Sequence, residues 1–416
     1  MKFLDELAAR RRFGMKPGLE TIRRTCAALG NPQAAVRAIH VAGTDGKGAV
    51  CAILDACLRA TGATVGRYTS PHLVRMNERF FLNGEPLGDA PLDAAAQRVA
   101  EAVRTDGSLA ELTFFEALTA VAFQVYAAAR PDWTILETGL GGRLDATNIC
   151  APALTIITRI GLDHCDWLGD TVEKIAAEKA GIIKPGVPVV LGANEPSVRS
   201  VVETRAKAMA APFIYAPDCV KLDEIPESFS LHGSFNRENA VTTLAALKAI
   251  LPPDGVARAR AGLSSVVWPG RYQHVGKFIV DGAHNPPAAR ALADSLRAEG
   301  QQGLTLVVGF CGDKDSAAVL RELAPFVAQG FAVRTVNPRS LSAEETARRM
   351  REAGIPAVAM PTLAAALGAA RHSGRRTLVC GSLFLAGEAL VELGAYPWGT
   401  ARFDPSESLR VKPDLV

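Results

Sequence analysis

The chain has little net charge, no closely paired cysteines and no long apolar run, and each absence excludes a class of protein. A formal net charge of +3 over 416 residues is too weak a field to hold a nucleic-acid backbone or an anionic lipid surface. No nucleic-acid and no membrane partner is therefore expected. No apolar stretch approaches the roughly 20 residues of a membrane span. The start, Met1-Lys2-Phe3-Leu4-Asp5-Glu6, lacks the apolar core of a signal peptide, so a cytoplasmic protein is expected. Cysteines stand at 26, 51, 57, 150, 165, 219, 311 and 380 and never form a C-x-x-C pair. Scattered this way in a long chain, they read as reduced, mostly buried thiols, neither a disulfide frame nor a zinc site. Low-complexity segments and short-period repeats are also missing.

What is present is globular: 48% hydrophobic and 21% charged residues. The length exceeds one ordinary core and implies two or three domains. The strongest local signal is Ala38-Ile39-His40-Val41, a β-type run, followed by Gly43-Thr44-Asp45-Gly46-Lys47-Gly48 and an amphipathic helix carrying Val50, Ile53, Leu54, Cys57 and Leu58 on one face. Strand, glycine-rich turn and helix is the layout that cradles a nucleotide's phosphates. Glycines let backbone N–H groups crowd an anion, the helix N-terminus adds positive potential, and a lysine adds a full charge. The strict P-loop pattern would place glycine at Val41 and serine or threonine at Gly48, so an ordinary glycine turn is the plain alternative.

Three more strand exits carry polar groups. Thr64 to Tyr68 runs into Thr69-Ser70-Pro71; Ser70 is either a turn residue or the metal-facing hydroxyl that Gly48 lacks. Trp133 to Glu137 is a buried-type strand ending in a carboxylate, where a magnesium ligand would belong. Ala153 to Thr158 leads to His164. A lone histidine is more often structural than a ligand, but three such exits in one sheet favour a shared metal site. Thr113 with Glu116 fits a capping box opening a helix through Ala129, with Phe114 and Phe115 as core residues. Residues 1–37 read as helical, interrupted at Lys16-Pro17-Gly18. The Glu178-Lys179 helix face reads as solvated.

Trp268-Pro269-Gly270-Arg271 breaks the chain. Beyond it alternation restarts, with strands expected at 278–281, 304–308, 331–336, 356–360 and 377–380 in a parallel sheet. The expected domains are 1–268, a linker at 269–277, and 278–416.

Taken together, GTDGKG, YTSPHL, TFFEALTA, ETGLGGRLDATN, GLDHCDWLG, EKAGIIKPG, NRENA, WPGRYQ, DGAHNPPAA, GDKD and CGSLFLAGE resemble, in order, the folylpolyglutamate synthase/dihydrofolate synthase family, a branch of the ATP-dependent Mur ligases. The resemblance covers residues 36 to 390 or so. It implies an α/β protein: an N-terminal P-loop-type ATPase domain with a mostly parallel sheet, like the Mur ligase central domain, and a smaller C-terminal Rossmann-like domain. It implies an ATP- and magnesium-dependent amide ligase of folate biosynthesis that joins L-glutamate to dihydropteroate or to the γ-carboxyl of folates through an acyl phosphate. A monomer is expected.

By position, the resemblance assigns Thr44, Asp45, Gly46, Lys47, Gly48, Asn239, Arg271 and Asp281 to ATP. Ser70, Glu137, His164 and Lys179 become metal ligands, with two magnesium sites and Lys179 carried as a carbamate. Lys47, Lys179, His164 and Arg271 are the implied catalytic groups. Thr113, Phe114, Phe115, Glu116, Leu144, Asp145 and Ala146 would contact the pterin, and His284 and Ser382 the incoming glutamate. Departures are Asp45 where the family has asparagine, Ala49 where it has serine or threonine, Phe235 where related ligases carry histidine, and a short 216–231 segment suggesting a trimmed accessory β element. The rival readings are a monofunctional folylpolyglutamate synthase, a Mur-type peptidoglycan-precursor ligase and a non-catalytic ATP-binding homologue.

Overall fold

The computed structural model describes residues 18–312 and 315–399. The expectation of helix before Lys16 and residues Asp313 and Lys314 of the GDKD segment lie outside them. Eight strands form the first sheet: β1 Ala38–Ala42, β2 Val65–Tyr68, β3 Phe80–Leu82, β4 Glu85–Pro86, β5 Trp133–Glu137, β6 Pro152–Ile157, β7 Val189–Leu191 and β8 Phe213–Tyr215. Their order is β4-β3-β2-β5-β1-β6-β7-β8. Only the β2-β3-β4 edge runs antiparallel.

This order matters for the site. β1 lies between β5 and β6, and β2 lies beyond β5. The exits of all four strands therefore open on one edge of the sheet, beside the loop that follows β1. In open parallel sheets that crevice is where ligands bind.

Every residue of β1 is buried, as a strand covered on both faces requires. Ile39 and Val41 pack with Val50, Ile53, Leu54 and Leu58 of the helix Lys47–Ala60 and with Leu244 and Leu247 of the helix Ser234–Ile250. Ala38, on the other face, packs with Leu118, Val121 and Phe123 of the helix Phe114–Ala129. Each fully buried leucine or phenylalanine contributes about 1.5–3 kcal/mol. The latter helix opens on a complete capping box: Glu116 accepts from the Thr113 N–H and hydroxyl, and Thr113 Oγ1 accepts from the Glu116 N–H.

The second sheet holds β9 Gln273–Val275, β10 Phe278–Val280, β11 Leu304–Val308, β12 Val327–Ala332, β13 Ala357–Ala359 and β14 Thr377–Cys380, in the order β13-β12-β11-β14-β10-β9. Two expectations need correction. β9 falls inside the segment read as linker, and it pairs antiparallel with β10, so the sheet is not wholly parallel. Second, the strand expected at 331–336 begins at Val327, directly after the turn Ala324–Phe326. Its alternating tail misled: Val333 donates one more bond to Val308, after which the chain leaves the sheet.

The segment 216–231 forms the short helices Ala216–Cys219 and Leu222–Glu224 and no strand. All eight cysteines are free, with Cys165 and Cys219 exposed. No described helix is long and apolar enough to cross a membrane.

The two domains interlock. Leu73 and Val74, from the turn after β2, are buried among Phe278, Val280, Leu385 and Ala386. A Cβ on Gly387 would stand 2.6 Å from the Leu73 carbonyl oxygen, so that position admits no side chain. The C-terminal segment returns to the first domain, with Tyr396 donating to Glu78 at 2.6 Å and Trp398 edge-on to Phe81 at 5.0 Å.

Candidate active site

The loop after β1 is held tightly. The N–H groups of Thr44 and Asp45 donate to the Arg159 carbonyl, and Thr44 Oγ1 both donates to the Gly161 carbonyl and accepts from the Gly161 N–H. A Cβ on Gly43 would lie 1.8 Å from Thr158 Oγ1, and one on Gly46 2.3 Å from Asn239 Oδ1. Only glycine fits either place, and Asn239 is thereby set against the loop. A Cβ on Gly48 would lie 2.3 Å from Trp268 Cζ2. The indole occupies the space that a side chain at Gly48, such as the serine or threonine of an ordinary P-loop, would need.

Two lysines converge here. Lys47 Nζ donates to the carbonyls of Gly43 and Thr44 at 3.1 and 3.2 Å. Lys179, from the helix Val172–Ala180, donates to the same Gly43 carbonyl at 2.7 Å. Lys179 is buried, contrary to the solvated face that its helix suggested. Burial, then repulsion from Lys47, pulls its pKa down to about 7, against the pull of Asp163, Asp45 and Asp145. Asp45 lies in the field of Lys47, Asp163, Arg159 and Lys179, and burial raises its pKa.

Glu137, at the end of β5, is buried and accepts from the Ser70 N–H at 3.0 Å. Burial raises its pKa while Lys47, the Ser70 N–H, Arg271 and Arg67 oppose the rise. Arg271 reaches this region from the start of the second domain. Its Nη1 donates to the Gly270 carbonyl, and its guanidinium lies 6.0 Å from the Trp268 ring centroid. Asp281 is buried near it and accepts from the Tyr272 and Ala283 N–H groups.

Ser70 and Glu137 are thus in contact, and Glu137 feels Lys47. His164 joins less directly. It caps the short helix Cys165–Leu168 in a left-handed conformation (φ 50°), and its Nε2 lies 3.7 Å from Asp163 Oδ2. Asp163 in turn acts on Lys179 and Asp45. Among the described residues, Glu137 and His164 do not form part of a compact group of three His, Cys, Asp or Glu donors.

The residues expected at the pterin divide into two kinds. Thr113 and Glu116 satisfy one another as a helix cap, and Phe114 and Ala146 are core. Asp145 accepts from the N–H groups of Gly139, Leu140 and Thr147 and from the Thr147 hydroxyl, so it shapes the loop after β5. Phe115 and Leu144 are only partly buried, and the Phe115 ring lies over Gly139. In the second domain His284 Nδ1 pairs with the Gly282 carbonyl at 2.8 Å, and Ser382 caps the helix Leu383–Glu392. A bond from Gly381 N to Ala283 O joins their loops.

A small cleft between the domains is lined by Pro71, His72, Leu73, Glu78, Phe81, Trp268, Pro269, Arg271, Leu383 and Trp398. Trp268 and Asp163 escaped the sequence reading. The only available signals were the WPGR punctuation and the acid one position before His164.

A glycine loop with two lysines, a buried strand-end carboxylate and a second α/β domain supplying an arginine define the Mur ligase class. The Mur ligase glutamate ligase domain family matches residues 270–383. The dihydrofolate synthase/folylpolyglutamate synthase of Bacillus subtilis is 38% identical over 318 residues, covering 69% of this chain and 74% of that protein. The structure of Escherichia coli FolC in complex with DHPP and ADP superposes with a TM-score of 0.83 at 32% identity, covering 95% of this chain and 97% of that one. The Yersinia pestis bifunctional enzyme, complexed with AMPPNP and a Mn ion, matches at 0.81 and 33%, covering 94% and 97%. The chain belongs to the folylpolyglutamate synthase/dihydrofolate synthase family, and it is an ATP-dependent ligase.

Proposed function

We propose that this chain joins L-glutamate to dihydropteroate and to the γ-carboxyl of reduced folates, using ATP. The observation that carries the reading is that Lys47 and Lys179 meet at the Gly43 carbonyl of the loop after β1 while Glu137 lies in the field of both Lys47 and, from the second domain, Arg271. A carboxylate is a poor electrophile, so amide formation needs its activation. The acid attacks the γ-phosphate, giving an acyl phosphate and ADP; the glutamate amine then attacks the acyl carbon and phosphate leaves.

The protein's share is positioning and charge neutralisation. Lys47 offsets the phosphates, as does the N-terminus of its helix. Asn239, fixed against Gly46, and Asp281 hold the nucleotide. Arg271 adds its charge from the second domain, so binding of ATP and docking of that domain are coupled. Leu383 and Trp398 wall the cleft against water, which would otherwise hydrolyse the acyl phosphate.

The residues fit a divalent cation. Ser70 and Glu137 offer oxygen donors, the kind magnesium prefers, and burial makes the Glu137 charge costly without a cation beside it. His164 would complete this set. Magnesium, when bound, supplies charge neutralisation at the transferring phosphate. Magnesium prefers oxygen to an amine nitrogen, so Lys179 takes part as a carbamate, whose oxygens can bind it. An amine with pKa about 7 is substantially neutral at physiological pH and can take up CO2.

The test is ADP release and product formation with dihydropteroate and with tetrahydrofolate, side by side, with and without L-glutamate. Glutamate-dependent product from both acids is expected. Product from tetrahydrofolate alone removes the first activity, and ADP formation indifferent to glutamate overturns the reading.

A further inference from the structure

We propose a second cation site, for a borderline divalent ion such as zinc, formed by His232, His274 and Glu299 across the junction of the two domains. Their nearest donor atoms all lie within 4.8 Å of one another, and this is the only such group among the described residues. Ligands about 2.0–2.1 Å from a tetrahedral ion stand roughly 3.4 Å apart, so closing the site requires the donors to draw together and the two imidazole rings to turn until both ring planes meet at the ion. Two imidazoles and a carboxylate are a donor set for zinc and its neighbours, not for magnesium.

The three come from separate elements. His232 precedes the helix Ser234–Ile250 of the first domain. His274 is the middle residue of β9, and Glu299 ends the helix Pro286–Ala298. The histidine rings stack at 4.1 Å and 9°. His274 Nε2 is buried without a hydrogen-bond partner, 3.7 Å from Glu299 Oε2. Tyr272 donates to Glu299 Oε2 at 3.1 Å, as does Gln301 at 3.3 Å, the kind of support that orients a ligating carboxylate.

One neighbour opposes binding. The Arg376 guanidinium lies 3.1 Å from His274 Nδ1 and can only donate to it. The metal-free ring therefore carries its proton on Nε2, and capture of an ion moves that proton to Nδ1 and displaces the guanidinium. This holds affinity below that of a dedicated structural site and makes the site responsive to ion concentration. An ion bound here ties the first domain to the second.

The experiment titrates the full chain with Co2+ in excess Mg2+, which fills oxygen-donor sites, and reads visible absorption. One equivalent with tetrahedral bands, displaced by Zn2+, is expected. Glu299→Gln and His232→Ala, both at exposed positions, should each weaken it at least about tenfold. Arg376→Gln, whose amide oxygen can accept from Nδ1–H, should tighten it. Equal Co2+ binding by the parent and both ligand variants, or no tetrahedral bands in the parent, overturns the proposal.

Discussion

The amines of Lys47 and Lys179 end on one atom, the Gly43 carbonyl oxygen, at 3.1 and 2.7 Å. Two ammonium groups so close would repel, and this repulsion adds to burial in lowering the Lys179 pKa. Lys179→Ala is expected to abolish ligation, with short carboxylic acids restoring part of it by filling the place of the carbamate. Steady-state turnover measured with and without added acetate checks this; undiminished activity in the variant removes Lys179 from the mechanism.

The same amine predicts a pH dependence of stability. Its pKa is about 7 in the fold and 10.5 ordinarily. Between those values the unfolded chain holds a proton that the folded chain has released, so stability rises with pH across the window. The slope approaches about 1.4 kcal/mol per unit. Lys179→Met should lose this contribution. Denaturant curves in CO2-free buffer from neutral to alkaline pH would show it, and identical pH profiles for the two proteins would refute it.

Glu137→Gln keeps the shape of the side chain and the bond from Ser70 while removing the charge. The magnesium concentration for half-maximal activity should rise by at least about tenfold. A flat magnesium dependence would count against Glu137 as a ligand.

Gly48→Ser restores the P-loop hydroxyl on paper but drives a Cβ into Trp268. A loss of about 1–3 kcal/mol is expected, together with weaker ATP binding. Gly48→Ser combined with Trp268→Leu should recover part of the stability in urea melts. Strict additivity of the two changes would mean that the ring does not set the restriction.

Thr113→Ala separates two roles. As a cap its loss costs about 1 kcal/mol and leaves KM for dihydropteroate unchanged. A rise in KM larger than the fall in stability explains would place Thr113 at the substrate.

The sequence made these elements legible unevenly, for physical reasons. The loop at Gly43–Gly48 and the helix opened by Thr113 and Glu116 are local devices: their hydrogen bonds and glycines act within a few residues. Glu137 was legible because its strand is apolar up to the carboxylate. Trp268 over Gly48 was not, since one comes from the domain junction and the other from the first helix of the site. Lys179 looked solvated because its charge spacing is that of a surface helix; only the packing of that helix against the Gly43 loop buries it. β9 hid behind Pro269 and Gly270, which read as linker. His232, His274 and Glu299 share no spacing at all, and His232 reaches the other two only through the docking of the two domains.

The bond from Tyr396 to Glu78 spans 318 positions of the chain. Glu78 also receives the N–H groups of Leu73, Val74 and Arg75, so its carboxylate fixes the turn that begins at Ser70. The tail is consequently a fastener for a turn laid down near the opposite terminus. Deleting residues from 396 onward would leave both sheets whole yet slacken the bend at Ser70, and purification tags belong beyond Gly399 for the same reason.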